Sequence, residues 1–324
     1  MTRAVRIHEA GGPEKLTVEE VPLGKPGAGQ VLLRHTAIGL NFIDVYQRSG
    51  LYPMTLPAIL GMEAAGIVEE TGEGVTTLQA GDRVAYPMQA GAYADRRLVA
   101  ADRVVKLPGT IDDRTAAAMM LKGMTVEYLL CRTYPVQRGQ TILLHAAAGG
   151  VGLIACQWAK AIGATTIGTV STPEKAALAR AHGLDHAIVA APGTDVAAQV
   201  REITGGKGVP VVYDSIGKDT FDASLASLAP RGTMVSFGQS SGPVAAFNPA
   251  RLAQGGSLYY TRPGLANYIA TREELELSAG RLFDMVASGR VKIEVNQDYP
   301  LDRVADAHRD LEARRTTGST VLLP

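Results

Sequence analysis

The apolar run Thr141-Ile142-Leu143-Leu144-His145 passes through Ala146-Ala147-Ala148-Gly149-Gly150-Val151-Gly152 straight into a helix-forming segment, and nothing else in the chain restricts its fold as much. Glycine at 149 and 150 lets the backbone approach a pyrophosphate, and Gly152 allows close packing of helix on strand. The helix start offers free N–H groups and a dipole that favours an anion. Ala147 stands where the usual fingerprint has its first glycine. A glycine motif alone is weak; one between a strand and a helix, inside a βαβ alternation, points to a dinucleotide site.

That alternation continues beyond the turn. A helix is expected over 153–162, a strand over 165–170, and a helix over 173–182 stopped by Gly183. Apolar strands follow at 187–189, 209–214 and 232–237, as buried parallel strands require. The reading is α/β: a Rossmann doubly wound parallel sheet over 123–264. Residues 1–122 are instead short β-rich segments punctuated by turns, such as Leu16-Thr17-Val18, 30–34, 65–68 and 81–86, with 102–108 as the last strand. Residues 271–288 read as an amphipathic helix and 319–323 as a strand. The segment 265–324 is too short for a third domain and is expected to return and complete the first.

Composition excludes several classes. Lys plus Arg and Asp plus Glu number 32 each, so no bulk field gathers nucleic acid or an anionic membrane. No stretch approaches the roughly 18 apolar residues of a membrane span, and the N-terminus has no signal-peptide core. Cys131 and Cys156 have neither a metal spacing nor the look of a disulfide framework, which fits a reducing cytoplasm.

Cofactor choice is read at the end of the second strand, where an acidic residue would hold the ribose hydroxyls of NAD. The sequence there is Gly168-Thr169-Val170-Ser171-Thr172-Pro173-Glu174-Lys175. Hydroxyls and an ammonium suit a 2′-phosphate, with Lys175 as its charge partner and Arg180 as a weaker candidate. An ordinary surface lysine is the competing reading.

Over essentially its full length the chain resembles the quinone oxidoreductases, the zeta-crystallin-like, zinc-free branch of the medium-chain dehydrogenase/reductase superfamily. The stretches that carry this are 38–44 (IGLNFID), 46–53 (YQRSGLYP), 61–66 (GMEAAG), 121–125 (LKGMT), 145–152, 235–238 (VSFG) and 261–263 (TRP). The resemblance implies a GroES-like catalytic domain built from both chain ends, a Rossmann domain between them, a cleft for NADPH, and a homodimer. It places Asn41 and Tyr46 beside the nicotinamide. Thr125, Gly150, Val151, Ser171, Lys175, Phe237, Ser240 and Arg262 match positions that touch the cofactor, as Gly149 and Gly152 do through the turn, and Arg314 matches a C-terminal arginine that reaches it. Relatives often carry a tyrosine after the third Rossmann strand; Val189-Ala190-Ala191 stands there, so NADPH preference leans more heavily on Lys175.

Zinc-dependent relatives have His before the Glu of the 61–66 stretch and bind zinc with cysteines in the first domain. Here that position is Met62, and no cysteine precedes Cys131. A thioether is a poor zinc ligand, and His8, His35, His145, His182, His186 and His308 are scattered; they read as surface or capping imidazoles. Without a Lewis acid an alcohol is hard to activate, whereas an electrophilic quinone needs chiefly positioning. The expected function is metal-independent transfer of a hydride, or its equivalent in single-electron steps, from NADPH to a quinone, with Tyr46 and Tyr52 as candidates to line the pocket and donate a hydrogen bond; a packed aromatic is the competing reading for each. Two alternatives remain open: an NADPH-dependent reductase of alkenal or enone double bonds, and an NADPH-binding structural protein of the crystallin kind. Residues 257–260 are either an edge strand that pairs across a two-fold axis or a core strand.

Overall fold

Alternating apolar positions turn the N-terminal third into β1 (Thr2–Ile7), β2 (Thr17–Val21), β3 (Gln30–Leu40), β4 (Ala58–Ile59), β5 (Glu63–Thr71), β6 (Arg83–Pro87), β7 (Arg96–Ala100) and β8 (Val105–Lys106). The computed structural model covers all 324 residues, in two units. The first comprises Met1–Met124, Ile269–Ser288 and Ile293–Pro324; the second comprises Thr125–Tyr268 and Gly289–Lys292.

In the first unit a sheet runs β15-β16-β3-β5-β6-β8, where β15 (Val295–Pro300) and β16 (Ser319–Leu323) come from the C-terminal segment, and β7 also pairs with β3. The register sets Val321 opposite Gly39 and Gly39 opposite Glu63, so residues from both chain ends meet in one sheet. A smaller sheet, β2-β1-β4, lies apart from it in the strand order. Buried Val5, Leu33, Ile38, Leu60, Val84, Tyr93 and Leu322 share one core. Helix α1 (Phe42–Arg48) follows β3 directly, and α2 (Asp113–Tyr128) follows β8. The single strand expected over 102–108 is broken: Ala101–Arg103 form a 3-10 turn, and only Val105 and Lys106 pair with β6. The helix α9 (Arg272–Ala287) starts at Thr271, whose hydroxyl caps Glu274 N–H, and buries Leu275, Leu282 and Met285. After it α10 (Val304–Glu312) buries Val304, Ala307 and His308.

The second unit holds a six-stranded sheet in the order β11-β10-β9-β12-β13-β14, parallel throughout. Its strands are β9 (Thr141–Leu144), β10 (Thr165–Val170), β11 (His186–Val189), β12 (Val209–Asp214), β13 (Leu228–Ser236) and β14 (Tyr259–Thr261). Its helices are α3 (Gly150–Ile162), α4 (Pro173–Ala181), α5 (Val196–Ile203), α6 (Phe221–Ser227), α7 (Ala250–Gln254) and α8 (Leu265–Tyr268). Gly163 and Gly183 end α3 and α4 with φ of 89° and 94°, a region that a residue with a Cβ adopts only under strain. The first three strands run outward from β9 on one side and the last three run from β12 on the other, so the order reverses between β9 and β12. In a doubly wound sheet that reversal opens a crevice at the carboxyl ends of the strands. No helix is long and apolar enough to cross a membrane.

Candidate active site

The glycine turn lies at that reversal. Gly149 is the N-cap of α3 in extended conformation, and no side chain caps the helix. The first-turn N–H groups at Gly150, Val151 and Gly152 therefore have no carbonyl one turn earlier and no side-chain acceptor, the arrangement that suits an anion. A Cβ on Gly152 would sit 2.3 Å from the Ala146 carbonyl oxygen, which explains glycine there by packing alone. Ala147 is accommodated because its neighbour on β10 is Gly168, where a Cβ would lie 2.6 Å from the Ala147 Cβ. The small residue missing from the turn has been supplied by the next strand.

Beneath the turn is a buried polar chain. His145 sits between the Thr169 hydroxyl (2.9 Å) and Ser224 (3.0 Å), and Ser224 donates to Asp214 at 2.6 Å. Asp214 also accepts from the N–H groups of Ile216 and Gly217 and from Thr220. Burial holds the His145 pKa down, so the imidazole is neutral. The chain ties together the ends of β9, β10 and β12, the strands that frame the turn.

Ser171, Phe237, Ser240 and Arg262 follow the carboxyl ends of β10, β13 and β14, at the same edge. Ser171 follows β10 and is exposed, and Lys175 is in the first turn of α4, where its backbone N–H is capped by Thr172. The Thr172 hydroxyl holds the Glu174 carboxyl below its usual pKa. Phe237 follows β13, with its N–H on the Asp214 carbonyl; Ser240 donates its N–H to Ser215, and Arg262, just after β14, reaches the Ser236 carbonyl at 2.9 Å. Thr125 is buried on α2, one turn before Tyr128, which stacks on Tyr268 at 4.4 Å.

In the first unit Asn41 is the N-cap of α1 and is 5% exposed; Tyr46 is one turn on. Tyr46 and Tyr52 meet edge to face at 5.2 Å, and the Tyr52 N–H bonds the Tyr46 carbonyl. Arg314 is exposed in a left-handed conformation beyond α10, with its N–H on Leu311. Sequence reasoning missed the buried charges around Asn41. Asn41 Nδ2 donates to Glu63 Oε1 at 2.7 Å, and the same oxygen accepts from Lys122 Nζ at 2.9 Å. Asp44, Tyr93, His308 and Arg48 form a second buried set. The signal was present: Glu63 and Lys122 are single charges inside apolar runs, which a chain retains only when they are paired.

His35, His145 and His308 are buried, contrary to the expectation of surface or capping imidazoles. Burial pushes His35 and His308 down to about 3, so each serves as a neutral hydrogen-bonding group. No group of three His, Cys, Asp or Glu side chains converges as a metal site would require. Met62 Sδ lies 3.3 Å from Gln47 Nε2 and so accepts a weak hydrogen bond. These side chains do not fit a catalytic zinc.

A doubly wound sheet of this order, with a glycine turn at its switch point and a β-rich unit made from both chain ends, defines an oxidoreductase of the medium-chain dehydrogenase/reductase class. Residues 27–138 match the family described as alcohol dehydrogenase GroES-like domain, and residues 150–268 the family described as zinc-binding dehydrogenase. The chain is 53% identical to a Pseudomonas aeruginosa quinone oxidoreductase and 47% identical to a Burkholderia 2-haloacrylate reductase, with 99% or more of each chain covered. It superposes on the crystal structure of an Escherichia coli quinone oxidoreductase complexed with NADPH with a TM-score of 0.97, at 49% identity over 99% of this chain and 100% of that one. The chain belongs to the quinone oxidoreductase family of the medium-chain superfamily.

Proposed function

We propose that the protein is an NADPH-dependent quinone reductase that works without a metal. The observation that carries this reading is the uncapped start of α3 at the sheet's switch point, with Ser171 just after β10 and Lys175 in the first turn of α4, in the segment where NAD-binding sheets present a carboxylate. The names of the relatives and the NADPH in the Escherichia coli structure support it. In this reading Gly149, Gly150, Val151 and Gly152 receive the pyrophosphate, and Ser171 and Lys175 hold the 2′-phosphate. Thr125, Phe237, Ser240, Arg262 and Arg314 complete the cofactor contacts, and Asn41 and Tyr46 face the nicotinamide. NADPH supplies a hydride, or its equivalent in single-electron steps, and the protein contributes position, exclusion of water, and a proton from water or a nearby hydroxyl. Tyr46 and Tyr52, held together by their ring contact, shape the substrate side.

The Burkholderia relative's name favours a second reading, reduction of an activated carbon–carbon double bond, which needs the same cofactor and no metal. We also assign the protein to the cytoplasm, as a chain with two cysteines 25 residues apart, without the spacing of a disulfide framework, suits a reducing compartment. Anaerobic assay of metal-stripped protein with NADPH or NADH against quinones and alkenals separates these readings. Quinone-dependent NADPH oxidation that survives chelation is expected, and loss on chelation would overturn the metal-free reading. In the same assay Lys175→Ala should raise KM for NADPH roughly tenfold, a typical loss of one charge-assisted phosphate contact. KM for NADH should stay nearly unchanged; equal effects on both would remove the phosphate contact.

A further inference from the structure

Glu63 is a carboxylate with no exposure, at the first position of β5, and its surroundings are built for it. Gly39 faces it across the β3–β5 pair, and a Cβ there would lie 2.3 Å from Glu63 Oε1. One oxygen accepts from Lys122 Nζ and Asn41 Nδ2, and the other accepts from the Leu121 N–H at 2.6 Å. A buried ion pair contributes little net stability compared with apolar side chains of the same volume, so stability alone does not account for this one. Its geometric consequence is definite. An ionised carboxylate only accepts hydrogen bonds, so the Asn41 amide must turn its NH2 toward Glu63 and its Oδ1 away.

Resting on the functional reading above, we infer that Glu63 and Lys122 are positioning residues that lock the Asn41 carboxamide with its oxygen toward bound NADPH, where it accepts from a donor at the nicotinamide end. Lys122 pairs with the carboxylate at 2.9 Å, Gly39 leaves it room, and Asn41 transmits the orientation to the ligand. Were the carboxylate replaced by an amide, the amide–amide contact could form in either sense and the orientation would no longer be fixed.

The test is a double-mutant cycle on the full-length protein, read as kcat/KM for NADPH with 1,4-benzoquinone as acceptor. Glu63→Gln and Asn41→Ala are each expected to lower it about tenfold, within the range for directly coupled residues. The double variant should be no worse than Asn41→Ala alone. Losses that multiply would show that Glu63 does not act through Asn41 and would overturn the inference. A reciprocal exchange guards against simple misfolding: Asn41→Asp combined with Glu63→Gln keeps one carboxylate, one amide and an oxygen toward the ligand. It should recover most of the kcat/KM lost in Asn41→Asp alone. Recovery of the melting temperature without recovery of kcat/KM would mark the pair as structural only and overturn the inference. If the unaltered protein neither binds NADPH by fluorescence titration nor oxidises it, the functional reading itself fails. Normal binding and turnover with multiplying losses defeat this inference alone.

Discussion

Asp44, the third residue of α1, is fully enclosed, and only one of its oxygens is used. Oδ2 accepts from the Asn41 backbone N–H at 2.9 Å and from the Tyr93 hydroxyl at 2.8 Å, while Oδ1 is buried with no hydrogen-bond partner. Behind Tyr93 stands His308, whose Nδ1 faces the Arg48 guanidinium at 3.0 Å, and Arg48 pairs with Glu312 at 2.8 Å. Neutral His308 accepts at Nδ1 and donates from Nε2, so the donors all point toward Asp44. Burial nevertheless dominates: it raises the Asp44 carboxyl to about 7 against the lowering effect of those two bonds. A group whose pKa is higher in the folded state binds its proton more tightly there. Its contribution is complete below the unfolded value of 3.8 and is lost as pH rises to about 7. Three pKa units correspond to about 4 kcal/mol. Asp44→Asn removes this titration while keeping an oxygen for the Asn41 N–H and Tyr93. Urea unfolding from pH 4 to pH 8 should therefore show stability falling more steeply with pH in the unaltered protein than in Asp44→Asn. Parallel curves would show that Asp44 is ionised throughout.

At the level of elements, the contact between β10 and the turn before α3 is set by which of two facing residues is the glycine. Gly168→Ala would place a methyl group 2.6 Å from both the Ala147 Cβ and Leu184 Cδ1. Such overpacking typically costs about 1–3 kcal/mol. Adding Ala147→Gly removes one of the two clashes, so the double variant should regain a large part of the melting temperature and of the NADPH affinity. Independent, additive effects of the two changes would refute the interlock. The turn itself was legible in the sequence, because an apolar strand, closely spaced glycines and a helix are contiguous and each leaves a local mark. The strands from Val209 to Asp214 and from Ser319 to Leu323 were legible for the same reason. What sequence could not show is long-range. Gly39 opposite Glu63, His145 linked to Ser224 and Asp214, and Arg48 reaching Glu312 each join residues that are far apart in the chain, and no local period encodes such partners. The 102–108 segment misled because Val104, Val105 and Leu107 make it rich in strand-forming residues, while tertiary pairing holds only two of its residues.

For the whole molecule, formal charge is balanced, so association rests on local surfaces. The strand β14 ends the six-stranded sheet: β13 pairs with it on one side, and no strand pairs with it on the other. Such an edge presents unpaired N–H and C=O groups, and proteins that remain monomeric usually shield it with charge, proline or a covering loop. Here the edge is Tyr259-Tyr260-Thr261, without charge or proline, and Tyr259 is 63% exposed. A second copy meeting it across a two-fold axis would continue the sheet and bury both tyrosines, which are favoured interface residues. We therefore propose a homodimer through β14. Light scattering after size exclusion should give twice the 34.1 kDa chain mass. Tyr259→Lys, which puts a charge on the pairing edge far in sequence from the glycine turn, should give the single-chain mass with NADPH binding retained. A monomeric unaltered protein would remove the proposal, and a dimer that survives Tyr259→Lys would move the interface away from this strand.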